Sequence, residues 1–165
     1  MDTARIDDET GRAALATVRA AGVGNVGVAD AGDLGTAVNR GWIQNSPVGR
    51  RDPVTRVDPG EGVPAVPVDF ATVQTAVGYT LQLLADRAPG DAVEVRVPPY
   101  GAVRCIDDGI RSGDRLPDVI ETDAATWLLL ATGDLPWHDA RDGGLVRASG
   151  DRADLEGLVP VISSP

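Results

Sequence analysis

Val93-Glu94-Val95-Arg96-Val97-Pro98-Pro99-Tyr100-Gly101-Ala102-Val103-Arg104-Cys105-Ile106, residues 93–106, is the stretch from which the fold is read. Val93 to Val97 alternate apolar and charged. As a strand they put three valines on one face and a Glu–Arg pair on the other. Pro98-Pro99-Tyr100-Gly101 supplies turn chemistry, and Ala102 to Ile106 return with the same period of two. The pattern predicts a β-hairpin with one dry face. A dry face has to be covered, and helices are the cover this chain has to offer.

Working outward, those helices are found on both sides. Upstream, Asp69 is a good N-cap for a helix in which Phe70, Val73, Val77, Leu81, Leu84 and Ala88 recur every three or four residues, and Pro89-Gly90 ends it. Downstream, the polar stretch from Asp107 to Pro117 reads as a loop, and Val119-Ile120-Glu121-Thr122 as a third strand. Asp123 then caps a helix carrying Ala124, Trp127, Leu128, Leu130 and Ala131, which Thr132-Gly133 stops. A short turn or helix carries Trp137. Gly144 to Gly150 bracket a fourth strand, and Ala153 to Leu158 form a last helical turn. The class is α+β, with helices on one face of a mainly antiparallel sheet.

The N-terminal part differs. Residues 8–21 read as a short helix with a stripe of Ala13, Ala14, Leu15, Val18 and Ala21, stopped by Gly22. From Gly22 to Val68, glycines and prolines recur too often for long helices or central strands. The expected organisation is therefore residues 1–68 as an N-terminal helix plus a Gly/Pro-rich arm, and residues 69–162 as the folded domain. Trp42 and Ile43, flanked by Arg40 and Arg50-Arg51, offer the arm an anchor for a protein partner.

Charge and composition narrow the function. A net charge of −10 opposes nucleic acid as a partner, because phosphate binding needs clustered Lys and Arg. It also opposes an anionic lipid surface. No apolar run approaches the roughly 18–20 residues needed to cross a bilayer, so stable membrane insertion is not expected. The acidic N-terminus lacks the apolar core of a signal peptide, and a cytoplasmic location follows by default.

The chemistry-bearing residues point away from catalysis. Cys105 is the single cysteine and shares its face with Val103, so it reads as a small core hydrophobe rather than a nucleophile. His138 is the single histidine, too little for an ordinary zinc site, and it reads as solvated beside Asp139. Asp107, Asp108 and Asp114 lie in a loop and match no EF-hand spacing. Gly22-Val23-Gly24-Asn25-Val26-Gly27 fits the GxGxxG pattern, but a helix precedes it where a strand is required, so nucleotide binding is not expected. No catalytic residue, metal or cofactor is assigned.

Several pieces taken together resemble a known family. Ile120-Glu121-Thr122-Asp123, Trp127-Leu128-Leu129-Leu130-Ala131-Thr132-Gly133 and Asp142-Gly143-Gly144-Leu145-Val146-Arg147-Ala148-Ser149-Gly150 follow one another as in the C-terminal half of the sterol carrier protein family. Val93 to Tyr100 looks like the bacterial, actinobacterial orthologue branch. The resemblance covers roughly Asp69 to Ile162. It implies a sheet of about five strands covered on one face by helices, with an apolar tunnel between them for a sterol, fatty-acid or acyl ligand. The tunnel walls would then be Val77, Leu81, Leu84, Val95, Val97, Val103, Cys105, Ile120, Trp127, Leu128 and Leu130. Only about fifteen residues follow Gly150, so the closing C-terminal helix of many relatives is shortened here. Asp134 stands where many relatives carry a lysine. A related domain also forms the C-terminal part of mycothiol-dependent maleylpyruvate isomerases. An accessory or interaction module with a filled core is therefore the alternative to a lipid carrier.

Overall fold

A computed structural model describes residues 4–22, 68–110 and 115–162. The chain order is α1 (Asp8–Ala21), α2 (Phe70–Arg87), β1 (Val93–Val97), β2 (Gly101–Cys105), β3 (Asp118–Thr122), α3 (Ala124–Thr132), α4 (Trp137–Asp142) and β4 (Val146–Ser149). Trp42, Ile43, Arg40, Arg50-Arg51, Asp114 and the GxGxxG residues after Gly22 lie outside the described residues.

The helices begin where their caps predict. The Asp7, Asp69 and Asp123 carboxylates accept hydrogen bonds from the backbone N–H of Thr10, Thr72 and Thr126, each at 2.9 Å. Such a cap contributes about 1 kcal/mol, because it satisfies a donor that the helix cannot. Gly133 ends α3 in the left-handed conformation at φ 83°, which a side chain would resist.

β1 carries the sheet, whose order is β2-β1-β3-β4. It pairs antiparallel with β2 (Val93 opposite Cys105, Val95 opposite Val103) and parallel with β3 (Val95 beside Ile120). β3 pairs antiparallel with β4, Thr122 facing Val146. The sheet is mainly antiparallel, as expected, with β1–β2 and β3–β4 running so; it has four strands among the described residues where about five were expected, and a parallel pair at its centre. The cause is chain direction. β2 runs back along β1, so the chain arrives at the beginning of β1 and β3 leaves in the same sense.

Alternation on β1 decides which side is dry. Val93, Val95 and Val97 are fully buried. On the opposite face Glu94 lies between Arg96 and Arg104 and forms ion pairs with both. α2 lies over β2 on the dry side, where Leu81 approaches Gly101, and the Trp127 indole of α3 meets Thr80 of α2.

Three local expectations are adjusted. Ala13 is exposed, because the buried stripe of α1 runs through Gly11, Ala14, Leu15 and Val18. Phe70 is 39% exposed and stacks on Tyr100 with ring centroids 4.9 Å apart, closing the end of the sandwich rather than its centre. Ala153 to Leu158 close as one turn, in which Leu158 and Val159 both donate to the Leu155 carbonyl. The C-terminal segment is then pinned to α3, since Val161 and Ile162 donate to the Ala131 carbonyl at 3.0 Å.

α1 packs on α2, and Ala14, Leu15 and Val18 join the same apolar core. The Tyr79 hydroxyl donates to Asp8 at 2.8 Å, Ile6 and Gln82 exchange two backbone–amide bonds, and Arg5 pairs with Asp86. The Tyr79 ring lies directly against Gly11. A Cβ added there would stand 2.2 Å from the ring, far inside contact distance. Gly11→Ala is therefore expected to lower stability by about 2 kcal/mol, in the range for overpacking, read as a shift of the urea midpoint. An unchanged midpoint would mean that α1 does not seat on Tyr79.

Candidate functional site

The eleven residues expected to line an apolar interior come together. Val77, Leu81 and Leu84 of α2, Val95 and Val97 of β1, Cys105 of β2, Ile120 of β3 and Trp127, Leu128 and Leu130 of α3 are all buried in one core. Val103 is half-buried, because β2 is an edge strand. The register explains the convergence: Val103, Val95 and Ile120 stand side by side across three strands, on the face that α2 and α3 cover.

Two indoles reach into this interior, and their N–H groups fare differently. Trp127 Nε1–H donates to Thr80 Oγ1 at 2.8 Å, and the Thr80 hydroxyl lies within bonding distance of the Ala76 and Val77 carbonyls. The bond fastens α3 to α2 and satisfies a donor that burial would otherwise strand. Trp137 is 6% exposed, and its Nε1–H has no acceptor. Sequence reading singled out neither Thr80 nor the indole of Trp137. The available signal for Thr80 was its place on the apolar face of α2, next to Leu81 and three residues after Val77.

The remaining candidates sit where no reaction is assembled. Cys105 is fully buried, and loss of solvation pushes its thiol up to about 11, so the thiolate is scarce at neutral pH. His138 is exposed and lies 3.0 Å from its neighbour Asp139. Asp107 and Asp108 spend carboxylate oxygens on the backbone N–H of Gly109 and Ile110, and Asp108 also pairs with Arg152. Among the described residues, no three His, Cys, Asp or Glu side chains gather as they would around a metal ion.

A polar cluster was not anticipated. Arg152 donates to both carboxylate oxygens of Asp118, at 3.2 and 3.0 Å, and to the Leu116 carbonyl at 3.1 Å. Its hydrogen bonds hold the Asp118 carboxyl below the usual carboxylate range. Gly150, at φ 107°, lets the backbone pass so close to Asp118 that an added Cβ would fall 2.1 Å from the carboxyl carbon. The signal lay in the β3–β4 register: with Val119 opposite Ser149, Asp118 meets the residues that follow β4. This cluster borders a surface cleft of about 190 Å³ lined by Asp91, Arg104, Asp107, Asp108, Arg115 and Arg152 among others. None of the eleven interior residues contributes to it.

A family model described as "Bacterial SCP ortholog" matches residues 69–161. No curated protein matches the chain.

Three outcomes are expected from this geometry. Cys105 should resist a thiol reagent at pH 8 in the native protein and react at once in denaturant; equal rates would contradict its burial. Because folding raises this pKa, the folded state retains the proton that the unfolded state loses. The thiol's contribution to stability is therefore complete below pH 9 and lost as pH rises toward about 11, which a series of denaturation midpoints would record. For Asp118 the sign is opposite. Arg152→Met should lower the thermal midpoint at pH 7, and the deficit should shrink as acid titrates the carboxylate.

Proposed function

Since the chain belongs to the bacterial sterol carrier protein (SCP) ortholog family, we propose that it binds a lipid, sterol or fatty-acyl ligand between its sheet and its helices, without catalysing a reaction on it. The observation that carries this reading is the convergence of valine-bearing strands and the Trp127–leucine helix on one continuous apolar interior. Val77, Leu81, Leu84, Val95, Val97, Val103, Cys105, Ile120, Trp127, Leu128 and Leu130 are its proposed contacts. In the structure these side chains pack on one another, so a ligand enters by parting α2 and α3 from the sheet. The Trp127–Thr80 bond is the polar tie that such an opening strains.

The energy scale suits a carrier. Burying about 500 Å² of an acyl chain at ~25 cal/mol per Å² is worth about 12 kcal/mol. Association and ordering losses of about 5 kcal/mol leave about 7 kcal/mol, an affinity in the micromolar range. The non-catalytic part of the proposal draws on the buried, protonated Cys105 and the solvated His138. No helix among the described residues is long and apolar enough to cross a membrane.

One observation favours the second reading, an accessory or interaction module with a filled core. The cleft described above is walled by charged side chains and lies outside the apolar interior. Titration separates the two. Delipidated protein is expected to bind a fluorescent fatty acid with micromolar affinity and to show a change in Trp127 emission. A flat titration at tens of micromolar, with the fold verified by circular dichroism, would reject the carrier and leave the module.

A further inference from the structure

The indole of Trp137 is the one buried side-chain donor without a partner among the described residues. Elsewhere in the domain the fold satisfies such donors: Trp127 has Thr80, and the Thr132 hydroxyl lies within bonding distance of the Leu128 carbonyl and the Asp134 carboxylate. Trp137 stands at the start of α4 after Pro136, which brings no side-chain acceptor. An indole N–H removed from water and left unbonded is a standing cost to the empty protein, and such a group calls for an explanation.

We infer that Trp137 Nε1–H is the polar end of the ligand site and donates to an uncharged oxygen, such as an ester carbonyl or an alcohol, whose apolar chain lies in the core. This inference rests on the carrier reading and adds the headgroup class to it. Trp137 belongs to the same core as Ile120, Trp127 and Leu130, so a chain bonded at the indole has apolar surroundings to run into. Leu135 and Leu145, before and after α4, are half-buried against the same core. The oxygen should be uncharged because no cation faces it from its own helix. His138 and Arg141 are exposed, and Arg141 is turned toward Asp154 at 3.7 Å. An ionised carboxylate would exchange its hydration for one neutral donor, a poor bargain.

The test uses the full chain, labelled with ¹⁵N at the indoles, and two probes: a polyene fatty-acid methyl ester and diphenylhexatriene, which has no acceptor. The ester should move the Trp137 indole proton downfield and slow its exchange with solvent, while diphenylhexatriene should do neither. Trp137→Phe should weaken the ester about tenfold, or about 1.4 kcal/mol, and leave diphenylhexatriene unchanged. If that variant fails to fold, the wild-type resonance decides alone. Ester binding with an unmoved Trp137 resonance, or an equal loss of both probes in the variant, overturns this inference and spares the carrier reading. Wild-type protein that binds neither probe overturns both.

Discussion

Everything in this domain depends on β1 having one face that must be dry and one that must be wet. Val93, Val95 and Val97 cannot stay in water without cost, and Glu94 and Arg96 cannot leave it. Because β1 is bonded to β2 on one side and β3 on the other, its alternation sets the facing of both neighbours through register. α2 and α3 are then drawn to the dry face, and the Trp127–Thr80 bond joins them there. Remove the alternation and the helices lose the surface on which they meet.

The same dependence explains how far the residues alone can be read. Elements specified by local chemistry were legible: the caps at Asp69 and Asp123, the stop at Gly133, and the period of two in residues 93–97. The parallel run of β3 was not, because strand direction is set by where the preceding chain arrives, and a strand's own residues look alike either way. Ala13 and Phe70 were misplaced for a related reason. Periodicity finds a helix's apolar side but not its width.

The candidate site was legible in its apolar members and illegible in its polar ones. A buried valine or leucine needs only an interior, so spacing along one element suffices to place it. A buried Thr80 or Trp137 has meaning only through a partner on another element, or through the absence of one. These polar members also distinguish a domain that can take a guest from one that is merely filled, since apolar side chains serve both ends equally well. Specificity in such an interior comes from its few donors and acceptors.

The parallel β1–β3 pair has a further consequence. β2 and β3 flank β1 on opposite sides, so their facing ends lie two strand spacings apart, roughly 10 Å. Three or four extended residues would bridge that gap, at about 3.3 Å each. The chain spends residues 106–117 on it, and Asp107, Asp108, Ile110, Arg115 and Pro117 from this excess wall the charged cleft. The connector is thus far longer than connection demands. Its extra length supplies surface that joining the strands does not require, and Asp108 from it is tied back to β3 through Arg152, which also holds Asp118.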